Sequence, residues 1–336
     1  MPTILNSIKS LNEFIKKTAP SKVCVVTSAG LQSKLDWAIR EIDFPGQHLI
    51  LVPDGEHAKE WNETAMLLET FTKLNIDRNS LVIVLGGGTV GDSVGFAASI
   101  YLRGIRYIQV PTTLVAQVDS AHGGKTGVNF AGYKNQVGSF HLPVATVIDM
   151  RFLQSLSKEQ VIDGLGEVIK AGFIKDTSIL DLLQRHSLED LSSSDDMSKI
   201  VQKSIKVKNY FTEKDFKDNT SRQMLNVGHT IGHAIELKYG ISHGMAVLVG
   251  MMQELAFTES QGFTKNTVRK SLEDILVHFD IKVDLSMKPD WEAIIHDKKV
   301  SGMGIDFPII IKEGKAKVIR LDLDVLKKAL FTEGQV

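Results

Sequence analysis

Ser80-Leu-Val-Ile-Val-Leu-Gly-Gly-Gly-Thr-Val-Gly-Asp92 carries an unbroken apolar run into a glycine turn and out again into a second apolar segment. A short run rich in β-branched residues and closed by glycines reads as a strand buried on both faces. The spacing Gly86-x-Gly88-x-x-Gly91 then opens a helix. Such glycines let an anion approach the backbone, and the helix start offers free N–H groups and partial positive charge. Strand, glycine turn and helix together suit a nucleotide phosphate and the first layer of a doubly wound sheet. The match departs from the standard fingerprint, because no acid stands about 20 residues later to hold the ribose. Acids stand earlier instead: Asp54 and Glu56 follow an apolar run at 48–52, and with Lys59 they are candidates for that task.

Outward from this stretch, strands and helices alternate. Residues 22–28 and 48–52 read as strands, and 58–74 as a helix with Trp61, Ala65, Leu68 and Phe71 in one stripe. A strand at 107–110 ends at Pro111-Thr112-Thr113, and one at 146–150 closes the series. This alternation implies a parallel sheet with helices on both faces. After Arg151 the texture becomes helical, at 157–174, 197–210, 221–239, 244–261 and 266–279. Residues 307–321 read as a hairpin turning at 312–315, and 324–330 as a closing helix with Asp324 as its N-cap. The expected architecture is a doubly wound α/β domain suited to a nucleotide cofactor over 1–150 and an all-α or mainly α-helical domain over 151–336.

The 336 residues suit two cores rather than one. With 43% hydrophobic and 24% charged residues the composition is that of an ordinary globular protein, and a net charge of -1 argues against nucleic-acid or membrane attraction. The single cysteine, Cys24, lies in an apolar run and excludes an intrachain disulfide. The apolar runs are too short to span a bilayer, and residues 1–20 show no secretory signal, so the cytoplasm is the expected location.

Two clusters carry chemistry. In Leu225-Asn-Val-Gly-His229-Thr-Ile-Gly-His233-Ala-Ile-Glu236 two histidines stand four apart on one helix face, and His243 follows after a turn at Tyr239-Gly240. One such histidine is more often an ordinary core or surface residue. The pair flanked by glycines, with a third nearby, reads as a divalent-metal site. The second cluster is cationic and amide-rich: Arg103, the turn Asp119 through Lys125, Lys134-Asn135, Lys170 three residues after Glu167, Lys208, and Arg222 with Asn226. Taken singly each lysine is more often a solvated charge. Gathered in glycine turns within apolar chain, they suit a substrate rich in phosphate and carboxylate oxygens.

These residues resemble 3-dehydroquinate synthase, within the sugar phosphate cyclases. The resemblance rests on Gly87 through Asp92, Tyr101-Leu-Arg-Gly104, Gln109 through Leu114, Asp119 through Asn135, Gly164 through Lys170, Leu225 through Glu236 and Asp297-Lys-Lys299. It implies an NAD-binding domain, a helical domain and an active site between them. By the resemblance, Glu167, His229 and His243 hold the metal, zinc or alternatively cobalt, and His233 transfers protons. Glu56, Lys59, Gly87, Gly88, Thr89, Val90, Gly91, Asp92, Thr112 and Thr113 match the NAD motifs. Arg103, Asp119, Lys125, Lys134, Asn135, Lys170, Lys208, Arg222 and Asn226 match substrate positions, with Lys125 and Lys134 also reaching the cofactor. Two positions depart from the family: Met245 replaces the usual glutamate after His243-Gly244, which is expected to alter support for His243, and His122 replaces a small residue.

The implied reaction takes 3-deoxy-D-arabino-heptulosonate 7-phosphate to 3-dehydroquinate and phosphate in the shikimate pathway. Its steps are NAD-assisted oxidation at C5, β-elimination of phosphate, reduction and intramolecular aldol closure. The resemblance also suggests a homodimer. The competing readings are another sugar phosphate cyclase, a metal-dependent polyol dehydrogenase of the glycerol dehydrogenase type, and a binding protein without activity. The abundance of lysine turns argues against the dehydrogenase.

Overall fold

The computed structural model describes residues 2–296 and 300–331. The chain divides into two compact units, Met1–Leu156 and Ser157–Val336.

In the first unit the strands are β1 (Thr3–Leu5), β2 (Val23–Ser28), β3 (His48–Val52), β4 (Leu81–Gly86) and β5 (Arg106–Pro111), then a hairpin of β6 (Lys125–Phe130) and β7 (Tyr133–Phe140), and β8 (Ala145–Val147). The main sheet has the order β1-β8-β5-β4-β2-β3, with every pairing parallel. Its helices are α1 (Ile8–Thr18), α2 (Asp36–Glu41), α3 (Trp61–Lys73) and α4 (Gly88–Ile100). Because side chains alternate along a strand, Val23, Val25, Leu81, Ile83 and Ile108 pack with Ile8, Leu11, Ile15 and Leu35, while Cys24, Val26, Val82 and Val84 pack with Leu67, Phe71, Val94 and Ala97. The sheet is therefore covered on both faces, which explains the continuous apolar runs of β2 and β4. Strand β1 and helix α1 had no counterpart in the periodicity, since β1 is short and largely exposed. The two expected glycine turns form, at Gly123-Gly124 before β6 and at Gly132 between β6 and β7, and the strands they bound pair as a hairpin. Its loop, Ala131-Gly132, has φ of 51° and 84°, the backbone that suits strand twist.

Beyond β8 one carboxylate ties the sheet edge together. Asp149 Oδ2 accepts the N–H of Ile8 at 3.2 Å and Arg151 Nη2 at 2.6 Å. Arg151 continues to both oxygens of Glu41 at 2.9 and 3.0 Å, and lies over the Trp37 ring. Burial would raise the Asp149 carboxyl, but the Arg151 and backbone N–H bonds hold it below its ordinary value. A folded-state value below the unfolded one stabilises at pH above the unfolded carboxyl, and that contribution is lost as pH falls through the folded value. Asp149→Asn is thus expected to cost about 1–3 kcal/mol at pH 7, with the gap to wild type closing below about pH 4. Urea unfolding at both pH values checks this; a gap independent of pH would count against the ionic role.

The second unit holds α5 (Lys158–Ile174), α6 (Ser178–Leu183), α7 (Leu188–Leu191), α8 (Asp195–Lys214), α9 (His229–Tyr239), α10 (His243–Ser260), α11 (Val268–His278), α12 (Trp291–Ile295) and α13 (Leu323–Phe331). A small antiparallel sheet, β9 (Val300–Ser301), β10 (Gly304–Lys312) and β11 (Lys315–Asp322), contains the hairpin read at 307–321. The unit is therefore helical with one sheet rather than helical throughout. Ser157 and Gln160 form a capping box at the start of α5.

Two expectations are corrected. The single helix read over 221–239 does not form: Ser221–Asn226 is a 3-10 turn, Gly228 reverses the chain with φ of +78°, and α9 begins at His229. The apolar spacing runs on across the break, but Gly228 abuts α10, where its Cβ would meet Met251 Cγ at 2.6 Å and the Val247 carbonyl at 2.7 Å. Arg222 and Asn226 consequently do not share an α-helical i,i+4 face. Asp324 lies inside the first turn of α13, and Asp322 Oδ1 accepts its N–H at 2.8 Å, so the cap falls to Asp322.

Candidate functional site

In the second unit, glycines bring three helices to backbone contact. A Cβ on Gly166 of α5 would stand 2.6 Å from the Gly244 carbonyl of α10, and one on Gly232 of α9 would stand 2.6 Å from the Ala246 carbonyl. Asp163 of α5 accepts the N–H of Gly244 at 2.5 Å and so caps α10 from a neighbouring helix. Glu254 of α10 accepts the N–H of Gly228 at 2.7 Å. These contacts fix the first residues of α9 and α10, His229 and His243, over Glu167 of α5.

There His229 Nε2 lies 3.3 Å and His243 Nε2 lies 3.2 Å from Glu167 Oε1. The Val227 carbonyl stands 3.1 Å from His229 Nδ1 and can only accept, so Nδ1 carries the proton and Nε2 is a bare lone pair. Burial, then the Lys170 charge, pushes the His229 imidazole down to about 4, which keeps it neutral. A lone pair facing a buried carboxylate oxygen calls for a positive charge between them. Donors around one tetrahedral ion at about 2.0–2.1 Å stand about 3.3 Å apart, so the separations fit a metal of the zinc type. His243 Nδ1 meets Glu236 Oε2 at 3.1 Å. Burial opposes charge on His243, but Glu167 and Glu236 outweigh it and push the imidazole up to about 10.

Burial alone would raise the Glu167 carboxyl; Lys170 foremost, then His229, hold it well below the usual carboxylate range. Lys170 and Glu167 are each 2% exposed and form an ion pair three residues apart on α5, as their spacing predicted. His233 is exposed, and the ring nitrogens of His229, His233 and His243 lie within 4.8 Å of one another. Arg222 is buried, with Nη1 donating to the Phe216 carbonyl at 2.7 Å. The loop that presents it is organised by Asp215, whose Oδ2 accepts the N–H groups of Thr220 at 2.6 Å and Arg222 at 3.1 Å. Lys208 is half-buried on α8, and Asn226 half-buried at the end of the 3-10 turn. Asp297-Lys-Lys299 lies outside the described residues.

In the first unit Gly87 is the N-cap of α4 and Gly88 its first residue. A Cβ at Gly88 would meet Ser120 Oγ at 2.7 Å, and one at Gly91 would meet Gln109 Oε1 at 2.8 Å. The turn Gly88-Thr89-Val90-Gly91 therefore needs glycine at 88 and 91 for packing. Thr112 donates its N–H to the Gly86 carbonyl at 3.0 Å, which sets Thr112 and Thr113 beside that turn. Lys59 is buried, with Nζ 2.7 Å from Asp92 Oδ2 and 2.9 Å from Asn135 Oδ1. Asn129 links Glu56 Oε1 at 2.7 Å to the Asn135 N–H at 3.0 Å. Glu56, Lys59 and Asp92 are thus tied to the β6–β7 hairpin by one hydrogen-bonded network. Asp54 is used within the fold, both its oxygens accepting the Gly30 N–H at 2.9 and 3.0 Å. Lys125 and Lys134 are exposed on the hairpin. A cavity of about 540 Å³ opens there, lined among others by Glu56, Trp61, Asn129, Phe130, Tyr133 and Lys134.

Arg103 is exposed and stands in a run of positive φ, with Leu102 at 50°, Arg103 at 65° and Gly104 at 114°. Left-handed non-glycine residues cost energy and cluster at functional positions. Asp119 lies in a π-helical turn, Ala116–Ser120, another irregularity common at sites. Buried His122 donates Nε2–H to the Gln117 carbonyl at 2.8 Å, so this departure from the family braces the Asp119 turn. Asp163, Glu236, Asp215 and Asn129 were not picked out from the sequence. Asp163 is four before Glu167 and Glu236 seven after His229, spacings that put each on the face of a proposed ligand; Asp215 and Asn129 left no periodic signal.

The profile described as 3-dehydroquinate synthase N-terminal matches residues 49–163, and that described as 3-dehydroquinate synthase C-terminal matches 164–300. The 3-dehydroquinate synthase of Clostridium kluyveri is 38% identical over 340 residues, covering 97% of this chain and 93% of its own. That of Thermodesulfovibrio yellowstonii is 40% identical over 291 residues, covering 84% and 81%. Among solved structures, a valiolone synthase from Streptomyces hygroscopicus with NAD+ and Zn2+ has TM-score 0.86 at 22% identity, covering 99% of this chain and 96% of its own. A 2-deoxy-scyllo-inosose synthase with carbaglucose-6-phosphate, NAD+ and Co2+ has TM-score 0.82 at 22% identity, covering 98% and 95%. An iron-containing alcohol dehydrogenase from Corynebacterium glutamicum shares the fold more distantly, with TM-score 0.65 at 13% identity over 99% of this chain and 96% of its own. With both halves matched and full-length relatives well above the similarity that chance allows, the chain belongs to the 3-dehydroquinate synthase family.

Proposed function

We propose that the chain converts 3-deoxy-D-arabino-heptulosonate 7-phosphate to 3-dehydroquinate and phosphate, using NAD and one divalent metal, zinc or cobalt. The observation that carries this reading is the approach of His229 Nε2 and His243 Nε2 to within 3.3 Å of Glu167 Oε1, beside buried Lys170. The cofactors named with the two cyclase structures support it. When bound, the metal supplies Lewis acidity and NAD a hydride acceptor that is regenerated. Glu167, His229 and His243 would hold the metal, and Lys170 balances the Glu167 charge. His233, exposed beside them, is placed to move a proton on the substrate. Lys208, Arg222 and Asn226 of the second unit, and Arg103, Asp119, Lys125, Lys134 and Asn135 of the first, are assigned to substrate oxygens. The Gly87–Asp92 turn, Glu56, Lys59, Thr112 and Thr113 are assigned to NAD, with Lys125 and Lys134. A homodimer and a cytoplasmic location complete the proposal on the strength of the family resemblance. Among the described residues no helix is long and apolar enough to cross a membrane.

The test follows from hydride leaving and returning to one carbon. With NAD supplied only at the enzyme's concentration, many equivalents of phosphate are expected per NAD, while reduced nicotinamide stays near zero. Phosphate release that stops after one equivalent, or that rises in step with reduced nicotinamide, would support the polyol dehydrogenase instead.

A further inference from the structure

We infer that Glu236 is a positioning residue for the metal centre, setting the tautomer and ring angle of His243 through its hydrogen bond to Nδ1. The inference rests on the assignment of Glu167, His229 and His243 to a metal. The two imidazoles are oriented differently. His229 Nδ1 donates to a neutral backbone carbonyl, that of Val227, at 3.1 Å. His243 Nδ1 instead meets a carboxylate, Glu236 Oε2, at 3.1 Å. A proton held on Nδ1 by that carboxylate would leave Nε2 as the nitrogen that gives up its proton to a metal, and Nε2 is aimed at Glu167 Oε1 at 3.2 Å.

Glu236 reaches this position because α9 presents one stripe. His229, His233 and Glu236 are spaced i, i+4 and i+7, so a proposed ligand, a proposed proton carrier and the orienting acid project from one face. The stripe lies against the start of α10, where backbone contact at Gly232 and Ala246 prevents the helices from drifting apart. Glu236 also places a second negative charge near the site without occupying a coordination position. Met245, the departure from the family, is half-buried just after His243-Gly244. With Glu236 on Nδ1, His243 has an acidic partner from α9 and does not depend on an acid at 245.

Partners of this kind change metal affinity by about 10–100-fold when removed. The experiment measures affinity for zinc by competition with a chromophoric chelator, and the visible absorption of the cobalt-substituted protein, in wild type, Glu236→Ala, Glu236→Gln and His229→Ala. Glu236→Ala is expected to bind zinc about 10–100-fold more weakly, with altered cobalt bands and an unchanged metal-free circular dichroism spectrum. Glu236→Gln keeps an oxygen that can accept from Nδ1–H and is expected to recover most of the affinity. Wild-type affinity and cobalt bands in Glu236→Ala, alongside loss of metal in His229→Ala, would overturn this inference alone. Full affinity in His229→Ala as well would overturn the metal assignment itself. Weakening equal in Ala and Gln variants with a disturbed metal-free fold would make Glu236 structural and reject the positioning role.

Discussion

Replacing His229 with alanine is expected to strip the metal and lower kcat/KM at least about 1000-fold, because Lewis-acid stabilisation worth several kcal/mol disappears at about 1.4 kcal/mol per decade. The change removes Nε2 from beside Glu167 Oε1, leaving that oxygen with His243 and the carboxylate's other oxygen with Lys170. The fold should survive, since the imidazole contributes one short hydrogen bond to its own helix entry, at Val227. Metal content by atomic emission after dialysis, and turnover by phosphate release, are the two readouts. Stoichiometric metal with normal turnover would remove His229 from the centre.

Gly250→Ala is the second large effect, and it acts through packing. A Cβ at this position in α10 is driven into the Gly228 carbonyl oxygen and stands 2.8 Å from the Gly232 nitrogen. Both are backbone atoms, so no rotamer can relieve the clash and α9 must move. The expected cost is about 3 kcal/mol, at the upper end of overpacking, which lowers Tm by about 6–12 °C for a unit of this size. Metal affinity should fall with it, because His229 is the first residue of the displaced helix. Gly262→Ala is the control: nothing lies within 4 Å of its Cβ and only its φ of +71° is strained, a cost of about 1 kcal/mol. Thermal unfolding of the two variants side by side decides; a Gly250→Ala protein melting no lower than the control would refute the contact argument.

The sheet was legible because β2 and β4 are apolar on both faces, so each run announces a buried parallel strand whatever its neighbours. The proposed metal site was legible because His229 and His233 share a helix face and His243 follows after a short turn. What stayed hidden lacked either signal. Strand β1 has three residues, and the hairpin loop is Ala131-Gly132 rather than the Asn-Gly that usually marks such a turn. The break before His229 was invisible because apolar spacing runs through Gly228, and only contact with α10 decides that this glycine ends one segment instead of continuing it. Glu236 and Asp163 were on faces already recognised, yet their roles depend on what stands opposite, which spacing along one helix does not reveal.

The capping of α10 by Asp163 has a consequence for how this chain tolerates insertions. His243 takes its place from the Gly244 N–H bond to Asp163 and from backbone contact with Gly166, not from the Gly240–Ser242 connection that leads into it. Extra residues in that connection would bulge outward and leave His243 where it is. The interval between His233 and His243 is therefore expected to tolerate added residues, because what α10 touches, and not a fixed spacing along the chain, sets where His243 stands.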